Sequence, residues 1–494
     1  MDLEMPSFLI LFSFLILTWI IWKKMNSNSV PPPGPWKLPL LGNILQLRGG
    51  PANHRLCDLA KVYGPVMSIQ LGQNPAVVLS SPEAAEQVFK IQGDLFNNRP
   101  PALSGKILFY NNSDMTFTPY GDHWRQIRKI TVMEFLSPKR VLSFRSIREE
   151  QVSNFIKFLR TKGGSAINFP KALSELTSRI MLITLLGNKD ENEEIVLPAI
   201  ERVIETANKG AASDTFPTLK FFLDFLTGDK SRMEKVLQET DIILEAIINE
   251  HKKKGTSEHN YLDFLLDKQK KGDLQLPLTN EAIKANLMAM YAGGSETSSK
   301  LIEWTFAEMM KNPETMRKAQ EEVRRVFGDK GKVEESRIQE LKYLKLVLKE
   351  SFRIHPPSTL ITRVCQERTK INGYDIHPKT TILINVWTMG RDPNLWKEPE
   401  KFHPERFEDS KIDFRGANME LTPFGVGKRM CPGITLSTTY VEFLLANLLY
   451  HFDWKLPDGV TPATLDMTET LRGTLKKVQD LILIPIPFSP HQIA

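Results

Sequence analysis

One stretch past the middle of the chain sets the scale of what it can fold into. From Glu281 onward, apolar residues recur at helical spacing, at Ile283, Leu287, Met290 and Leu301, and the pattern runs to Met310 before Pro313 stops it. Thr279 or Asn280 can cap the start. At 1.5 Å per residue such a helix is about 45 Å long. Its middle holds Gly293-Gly294, each costing on the order of 1 kcal/mol against alanine. A glycine pair there predicts a local kink or a very close neighbour. The residues that follow are polar: Ser295, Glu296, Thr297, Ser298 and Ser299. An acid among hydroxyls in a buried helix points either to chemistry or to a plain packing defect, and these residues alone weigh the two evenly.

The remaining pattern fits one large body around this helix. Helical periodicity covers Pro82–Lys90, Leu142–Arg160, Ser231–Lys254 and Leu344–Arg353, and short strand-like runs occur at Val66–Leu71, Ala76–Ser80 and Thr380–Val386. After Pro35 there is no long low-complexity stretch, no repeat and no second linker; Lys252-Lys253-Lys254-Gly255 reads as a solvated loop. The expectation is a single domain over 37–494, mainly α with small β-sheets. With 494 residues, 41% of them hydrophobic, the chain has ample material for a core, which excludes a mostly disordered protein. The net charge of +6 is spread along the sequence and gives little support for nucleic-acid binding. Three cysteines, Cys57, Cys365 and Cys431, are too few for a disulfide framework.

Ahead of that body, Ser7 to Trp22 carries no charge, with Asp2 and Glu4 before it and Lys23 and Lys24 after it. Sixteen residues are slightly short for an average bilayer, and snorkelling lysines extend them. A cleaved signal peptide would need a basic start and a small-x-small site, and neither is present. Residues 1–24 therefore read as a transmembrane anchor, with everything after Lys24 in the cytosol. Pro31-Pro32-Pro33-Gly34-Pro35, within a hinge at 25–36, is stiff and poor in backbone donors, suited to holding a body at a fixed angle to its anchor.

The segment at 423–433 reads Pro-Phe-Gly-Val-Gly-Lys-Arg-Met-Cys-Pro-Gly. It resembles the haem-binding loop of the cytochrome P-450 family, F-x-x-G-x-R-x-C-x-G, at Phe424, Gly427, Arg429, Cys431 and Gly433. Such a match arises by chance in a chain of this length with odds on the order of 10⁻⁴. Glycines at 425, 427 and 433 leave backbone N–H groups free to approach the sulfur. Arg429 is placed to pair with a haem propionate. The resemblance implies a haem b group with Cys431 as the axial thiolate and metal ligand, donating electron density to iron. Zinc is the rival metal, but Cys57 and Cys365 offer no C-x-x-C spacing.

Further signatures follow in the family's order over essentially the full chain. Glu350 and Arg353 match E-x-x-R, on one helix face at i and i+3, and Arg406 in Pro404-Glu405-Arg406-Phe407 would complete an ion network with them; the resemblance gives these three a structural role. Trp124 and Arg128 look like the family's W-x-x-x-R, and Arg363, after His355-Pro356-Pro357, stands where relatives offer another propionate partner. Gly293-Gly294-Ser295-Glu296-Thr297-Ser298 matches the oxygen-activation motif. That implies catalytic roles for Thr297, bonding bound oxygen and steadying a water, and for Glu296, linking this proton path to solvent. No nucleotide or flavin fingerprint is present, so NADPH electrons would come through a separate cytochrome P-450 reductase, with Lys428 and Lys129 as candidate contacts.

The anchor and motif wording resemble microsomal members from plants. The stretches Gln320–Lys345 and Leu448–Lys455 are most similar to members from spurge-family plants that oxidise casbene-type macrocyclic diterpenes. This implies an endoplasmic reticulum enzyme, single-pass and facing the cytosol, acting on a small apolar substrate. The alternatives are an epoxygenase of unsaturated fatty acids, or a hydroxylase of another terpenoid or an alkaloid. An oxygen-independent isomerase or dehydratase, and a haem sensor, remain rivals, but neither needs the Glu296–Thr297 pair. By the family's pattern the pocket would be walled by Ile107–Phe117, Ala211–Phe216, Met288–Gly293, Ser358–Thr362 and Arg472–Leu475, a chiefly apolar set. Arg472 could clamp a carboxylate only by pointing inward, and outward is the expectation. Thr362 departs from the family's usual proline.

Overall fold

The computed structural model describes residues 30–187, 193–255, 260–328 and 331–488. Its longer helices, in chain order, are α1 (Ala52–Tyr63), α2 (Asp122–Glu134), α3 (Arg145–Thr161), α4 (Phe169–Leu186), α5 (Glu193–Lys209), α6 (Lys220–Thr227), α7 (Asp229–Lys254), α8 (Tyr261–Lys271), α9 (Asn280–Lys311), α10 (Pro313–Phe327), α11 (Lys342–Ile354) and α12 (Ile434–His451). The strands are β1 (Val66–Leu71), β2 (Asn74–Leu79), β3 (Ile167–Asn168), β4 (Leu360–Val364), β5 (Thr369–Ile371), β6 (Tyr374–Ile376), β7 (Thr381–Asn385), β8 (Phe452–Lys455), β9 (Glu469–Arg472), β10 (Thr474–Lys477) and β11 (Ile482–Pro487). The body is mainly helical with small sheets, as the periodicity indicates.

Helix α9 is the spine. Thr279 caps it, its hydroxyl accepting from the Ala282 N–H at 3.2 Å, and it ends at Asn312 just before a proline. Ile283, Leu287, Ile302, Trp304 and Phe306 are all at least 99% buried, so α9 is packed on every side. The helix continues unbroken through the glycine pair, and the close neighbour is present. A Cβ on Gly294 would come within 2.5 Å of Met181 Sδ on α4, while one on Gly293 would meet nothing within 4 Å. The two glycines thus serve different faces: one lets α4 approach, the other opens onto a cavity.

The largest sheet runs β1-β2-β7-β4. β1 and β2 form an antiparallel hairpin, β2 lies parallel to β7 (Ala76 opposite Thr381), and β4 is antiparallel to β7. A parallel pair needs a crossover, and here most of the helical body supplies it between residues 79 and 381. One expected helix divides: Leu142–Arg160 breaks at Phe144, which leaves helical ψ to pack at 5.5 Å on Phe135, so a short helix Pro138–Ser143 precedes α3. Pro82–Lys90 is α-helical only to Glu86 and then widens into a π turn.

The membrane-anchor reading for 1–24 lies outside the described residues. Among those described, no helix is long and apolar enough to cross a membrane. The proline segment is stitched to the body: Ser68 N–H donates to Pro33 at 2.7 Å, and Val30 N–H donates to the Asp375 carboxylate at 2.8 Å.

Two buried ionic networks tie the layers. Arg353 grips Glu350 through two bonds of 2.7 and 2.8 Å with both side chains fully buried, and Arg406 reaches the same carboxylate at 2.9 Å. The spare guanidinium donors end on the carbonyls of Pro399, Lys401 and Lys397. This is the structural trio read from the sequence, and its full hydrogen bonding offsets the desolvation of its charges. The second network has no sequence signature. His355 is stacked on Trp304 at 4.0 Å and lies between Glu308 (2.7 Å) and Glu469 (2.8 Å), and Glu469 also takes bonds from His54 and Trp387. Burial pushes the Glu469 carboxyl up, but the hydrogen bonds from His355 and His54 and the charge of Arg391 outweigh it and hold it well below the usual 4.5.

Two outcomes follow. Glu350→Gln should lower stability by about 3–5 kcal/mol, because it strands two buried guanidinium groups; denaturant unfolding of the purified variant measures this. Glu469, depressed in the folded state, contributes stability that is present above pH 4.5 and is lost as pH falls below it. Glu469→Gln should therefore be less stable at neutral pH and lose stability less steeply in acid, as melting temperatures across that range will show.

Candidate functional site

A cavity of about 390 Å³ lies between α9, the β4 segment and the loop before α12. Its walls include Gly293, Thr297, Ile361, Arg363, Phe424, Arg429 and Cys431. The cysteine loop is shaped by backbone requirements. Gly425 (φ 69°) and Gly427 (φ 77°) occupy the left-handed region, and a Cβ on Gly427 would come within 2.8 Å of the Phe89 carbonyl. Of the three glycine N–H groups expected near sulfur, the one that reaches it is Gly433. The Gly425 N–H is spent on Thr422 at 3.0 Å, closing the turn instead. The Cys431 N–H returns to the Phe424 carbonyl at 2.9 Å, and Phe424 packs edge-on to Phe352 at 5.0 Å. Cys431 is exposed, but to the cavity it lines. Burial among protein atoms pushes its thiol up, and the Gly433 N–H with the charges of Arg128 and Arg99 pulls partly against that.

Five guanidinium groups line the same space: Arg148, which is paired with Glu335 at 2.6 Å, and Arg99, Arg128, Arg363 and Arg429. Arg429 donates to the carbonyls of Asn97 (2.9 Å) and Thr118 (2.5 Å) and lies 4.4 Å over the Trp124 ring. Arg128 donates to Met430 at 2.8 Å and flanks the same ring at 5.3 Å. Trp124 is buried beside the cavity, its indole N–H bonded to the Met115 carbonyl at 3.0 Å and its ring between Arg128 and Arg429. Among the described residues, the Arg363 guanidinium bonds only the carbonyl of its own neighbour, Thr362, at 2.8 Å. Burial and the charges of Arg99 and Arg429 bring Arg363 down to about 9; burial with Arg99 and Arg128 brings Arg429 down to about 10.

Arg99 belongs to none of the sequence motifs. Its buried Nε has no hydrogen-bond partner among the described residues. It reaches the site because Asn98 bridges to Val364, whose N–H donates to the Asn98 carbonyl at 2.9 Å, setting Arg99 beside Arg363. No spacing motif encodes a contact between residues so far apart in sequence. Asp114, pushed up to about 6 by burial, is the carboxylate facing this group. Four cations against one weakened acid leave an uncompensated positive field, which fits a ligand carrying two carboxylates at its edge. Together with a cysteine on the cavity wall, this donor set suits haem: sulfur for the iron, arginines for the propionates.

On the opposite wall, the Thr297 hydroxyl donates to the Gly293 carbonyl at 2.6 Å and lines the cavity. Glu296, its neighbour in sequence, does not line it. Its carboxylate turns outward and bonds Thr474 (3.0 Å) and Lys476 (2.6 Å) on β10. Met115, Ala289, Met290, Leu360 and Ile361 supply apolar wall. Several expected wall residues pack elsewhere: Leu108 and Phe109 are core, Phe117 tilts against Phe109 at 5.0 Å, and neither 211–216 nor 472–475 reaches the cavity. Arg472 is exposed, pointing outward as expected. Lys428 is exposed but paired with Asp94.

The comparison with protein families decides the assignment. The cytochrome P450 family model matches residues 31–483. The chain belongs to the cytochrome P450 family. It is 55% identical to cytochrome P450 726A27 of Euphorbia lathyris over 99% of both chains, and 45% identical to premnaspirodiene oxygenase of Hyoscyamus muticus over 98% of both. In fold it is similar to a zebra fish cytochrome P450 solved with abiraterone, with a TM-score of 0.77 and 22% identity over 89% of this chain and 100% of that one. The protein is a haem-thiolate monooxygenase, using haem with a cysteine thiolate ligand and NADPH electrons supplied by a reductase. As a P450, it has Arg99 to set beside the arginines that its motifs mark.

Arg99→Met should weaken haem retention, seen as a lower haem-to-protein ratio after gel filtration, with the largest effect when it is combined with Arg363→Met. Cys431→Ala should lose the thiolate spectrum and all activity; a fully active variant would overturn the cysteine assignment.

Proposed function

We propose that this P450 is a membrane-bound monooxygenase of terpenoid metabolism, inserting one oxygen atom into a macrocyclic, casbene-type diterpene. The observation that carries it is the cavity's chemistry: an apolar distal wall whose cations are already committed. Arg99, Arg128, Arg363 and Arg429 gather where propionates would sit, and Arg148 is held by Glu335 through bonds of 2.6 and 2.7 Å. No guanidinium is left to clamp a fatty-acid carboxylate among the described wall residues, which favours a hydrocarbon held by shape. The likeness to a Euphorbia P450 and to premnaspirodiene oxygenase points the same way.

In this reading Cys431 would supply the thiolate for the haem iron, and Arg99, Arg128, Arg363 and Arg429 would hold the propionates. Bound haem supplies the redox chemistry that activates O₂. The chain's own residues hold the substrate, exclude water and move protons. Met290, Leu360 and Ile361 press an apolar skeleton against the cavity floor. Thr297, tied to the Gly293 carbonyl, presents its hydroxyl oxygen to a water in the cavity, and Glu296 connects that turn to solvent.

A surface feature supports the membrane location. Phe221 (91% exposed), Phe225 (84%), Phe222 and Leu226 project from α6. Trp36 and Leu40 (75% exposed) project from the N-terminal segment. The two segments meet at the β1–β2 turn, where Gln73 N–H donates to the Thr215 carbonyl at 3.0 Å and Gly72 N–H to that of Leu41 at 3.3 Å. A patch of large apolar side chains this exposed marks an interaction surface, and one adjoining the end that leads to the 1–24 segment suits a bilayer facing the cytosol.

Product analysis in yeast that carries the chain, a plant reductase and a casbene-type diterpene synthase, with linoleate supplied, tests the substrate. Oxygenated diterpenes dependent on Cys431 are expected; epoxy fatty acid with untouched diterpene would transfer the assignment. Thr297→Ala should keep haem but divert NADPH into peroxide, and unchanged coupling would refute its proton role.

A further inference from the structure

Asn286 is a polar side chain in an apolar stretch of α9. Its neighbours Ile283, Leu287 and Met288 are fully buried, and Asn286 itself is 1% exposed. Its amide is spent on backbone groups. Nδ2 donates to the Ala282 carbonyl at 2.7 Å and to the Ser113 carbonyl at 3.3 Å, and Oδ1 accepts from the Met115 N–H at 3.1 Å. Two of these three bonds leave the helix for the segment that precedes α2. Asn286 stands one turn before Ala289 and Met290, on the face whose later residues Gly293 and Thr297 line the cavity, yet it does not line the cavity itself. Met115 and Thr116, held against that face, do line it.

The segment is fixed from several other sides. Tyr110, Asn111 and Asn112 have φ of 47°, 55° and 59°, three successive non-glycine residues in the left-handed region, a conformation that persists only where the surroundings enforce it. The Tyr110 hydroxyl donates to Asp241 of α7 at 2.6 Å, and the Asp114 carboxylate takes the Thr116 and Phe117 N–H groups at 2.7 and 3.1 Å. The Met115 carbonyl accepts from the Trp124 indole at 3.0 Å and from Arg429 at 3.4 Å. Met115 is therefore gripped at both ends, by α9 at its nitrogen and by the arginine cluster at its oxygen.

We propose that Asn286 is a positioning residue that sets the length of the cavity along α9. By holding the Met115 N–H it keeps the Met115 side chain across the helix face at Ala289 and Met290, which admits a compact skeleton and turns away an extended chain. This rests on the cavity being the substrate site, as proposed above. A side chain that cannot accept there leaves the Met115 N–H unpaired in the interior, so the segment shifts and the cavity lengthens toward residue 286.

N-alkylimidazoles of increasing chain length are the probe: the ring nitrogen ligates the haem iron and red-shifts its absorption band, and the chain measures the room beyond. In the wild-type holoprotein, affinity should rise with each methylene, then drop by about tenfold at the first chain that meets Met115. Two variants release the Met115 N–H: Asn286→Leu, and Asn286→Ser, whose hydroxyl can bond Ala282 as Ser295 bonds Tyr291 at 2.8 Å. Both should keep the thiolate spectrum and the wild-type affinity for short chains, yet recover the lost tenfold at the long ones. Most of that gain should vanish when Met115 is already alanine, because both changes act on one side chain. Amide exchange at 113–117 should quicken in both variants. A wild-type cut-off in both variants overturns the inference, as does the full gain in the Met115→Ala background or a wild-type protein with no chain-length limit. If the cut-off moves as expected while yeast leave the diterpene unoxidised, the substrate assignment alone falls.

Discussion

Besides the paired Arg148, four guanidinium groups line one interior cavity and are faced by the weakened Asp114 carboxylate, and much of the molecule is arranged to make that tolerable. Arg363 and Arg429 are held below their ordinary range by burial and by neighbouring guanidinium groups, Arg99 foremost for both. Their positions are enforced from outside: Trp124 wedged beside Arg128 and Arg429, the Asn98–Val364 bridge setting Arg99 against Arg363, and backbone carbonyls taking the donors that face away. Such a cluster has no reason to exist without an anionic partner. Haem binding and final packing of this region are therefore coupled, since the ligand brings the missing charge.

Rigidity on the cysteine side contrasts with provision for movement on the other. The turn from Phe424 to Gly433 is closed by hydrogen bonds within itself and backed by an aromatic cluster of Phe352, Phe414 and Phe424. Behind it the Glu350–Arg353 pair is sealed from solvent and Arg406 closes it from the rim. Across the cavity, α9 admits α4 at Gly294 and leaves Gly293 bare. The hydroxyl of Thr297 faces inward and the acid beside it outward. One helical turn thereby touches both the cavity and the solvent-facing hairpin.

The sequence shows its motifs where residues act through local spacing. Glu350 and Arg353 are one turn apart on one helix, so i,i+3 arithmetic is enough to pair them. The cysteine loop is legible because positive-φ glycines must be glycine. The strands Val66–Leu71 and Thr381–Asn385 and the span of α9 fall close to the expected bounds, because their periodicity is long or their β-branched content high. The break at Phe144 is invisible in the sequence, since the periodicity on either side is helical and only packing against Phe135 turns the aromatic inward.

By itself, then, the sequence determined the family, the cysteine, the trio behind it and the acid–hydroxyl pair, because each is carried by a motif of residues within a few positions of one another. Only the tertiary structure decided which arginines share the cavity, that the Trp124 ring lies between Arg128 and Arg429, that Leu108 and Phe109 pack away from the wall, and that Glu296 pairs with Lys476. Those contacts join residues tens to hundreds of positions apart, such as Asn98 with Val364 and Glu296 with Lys476. Local spacing cannot encode them: they exist only once α9, the main sheet and the β9–β10 hairpin have closed on a common interior.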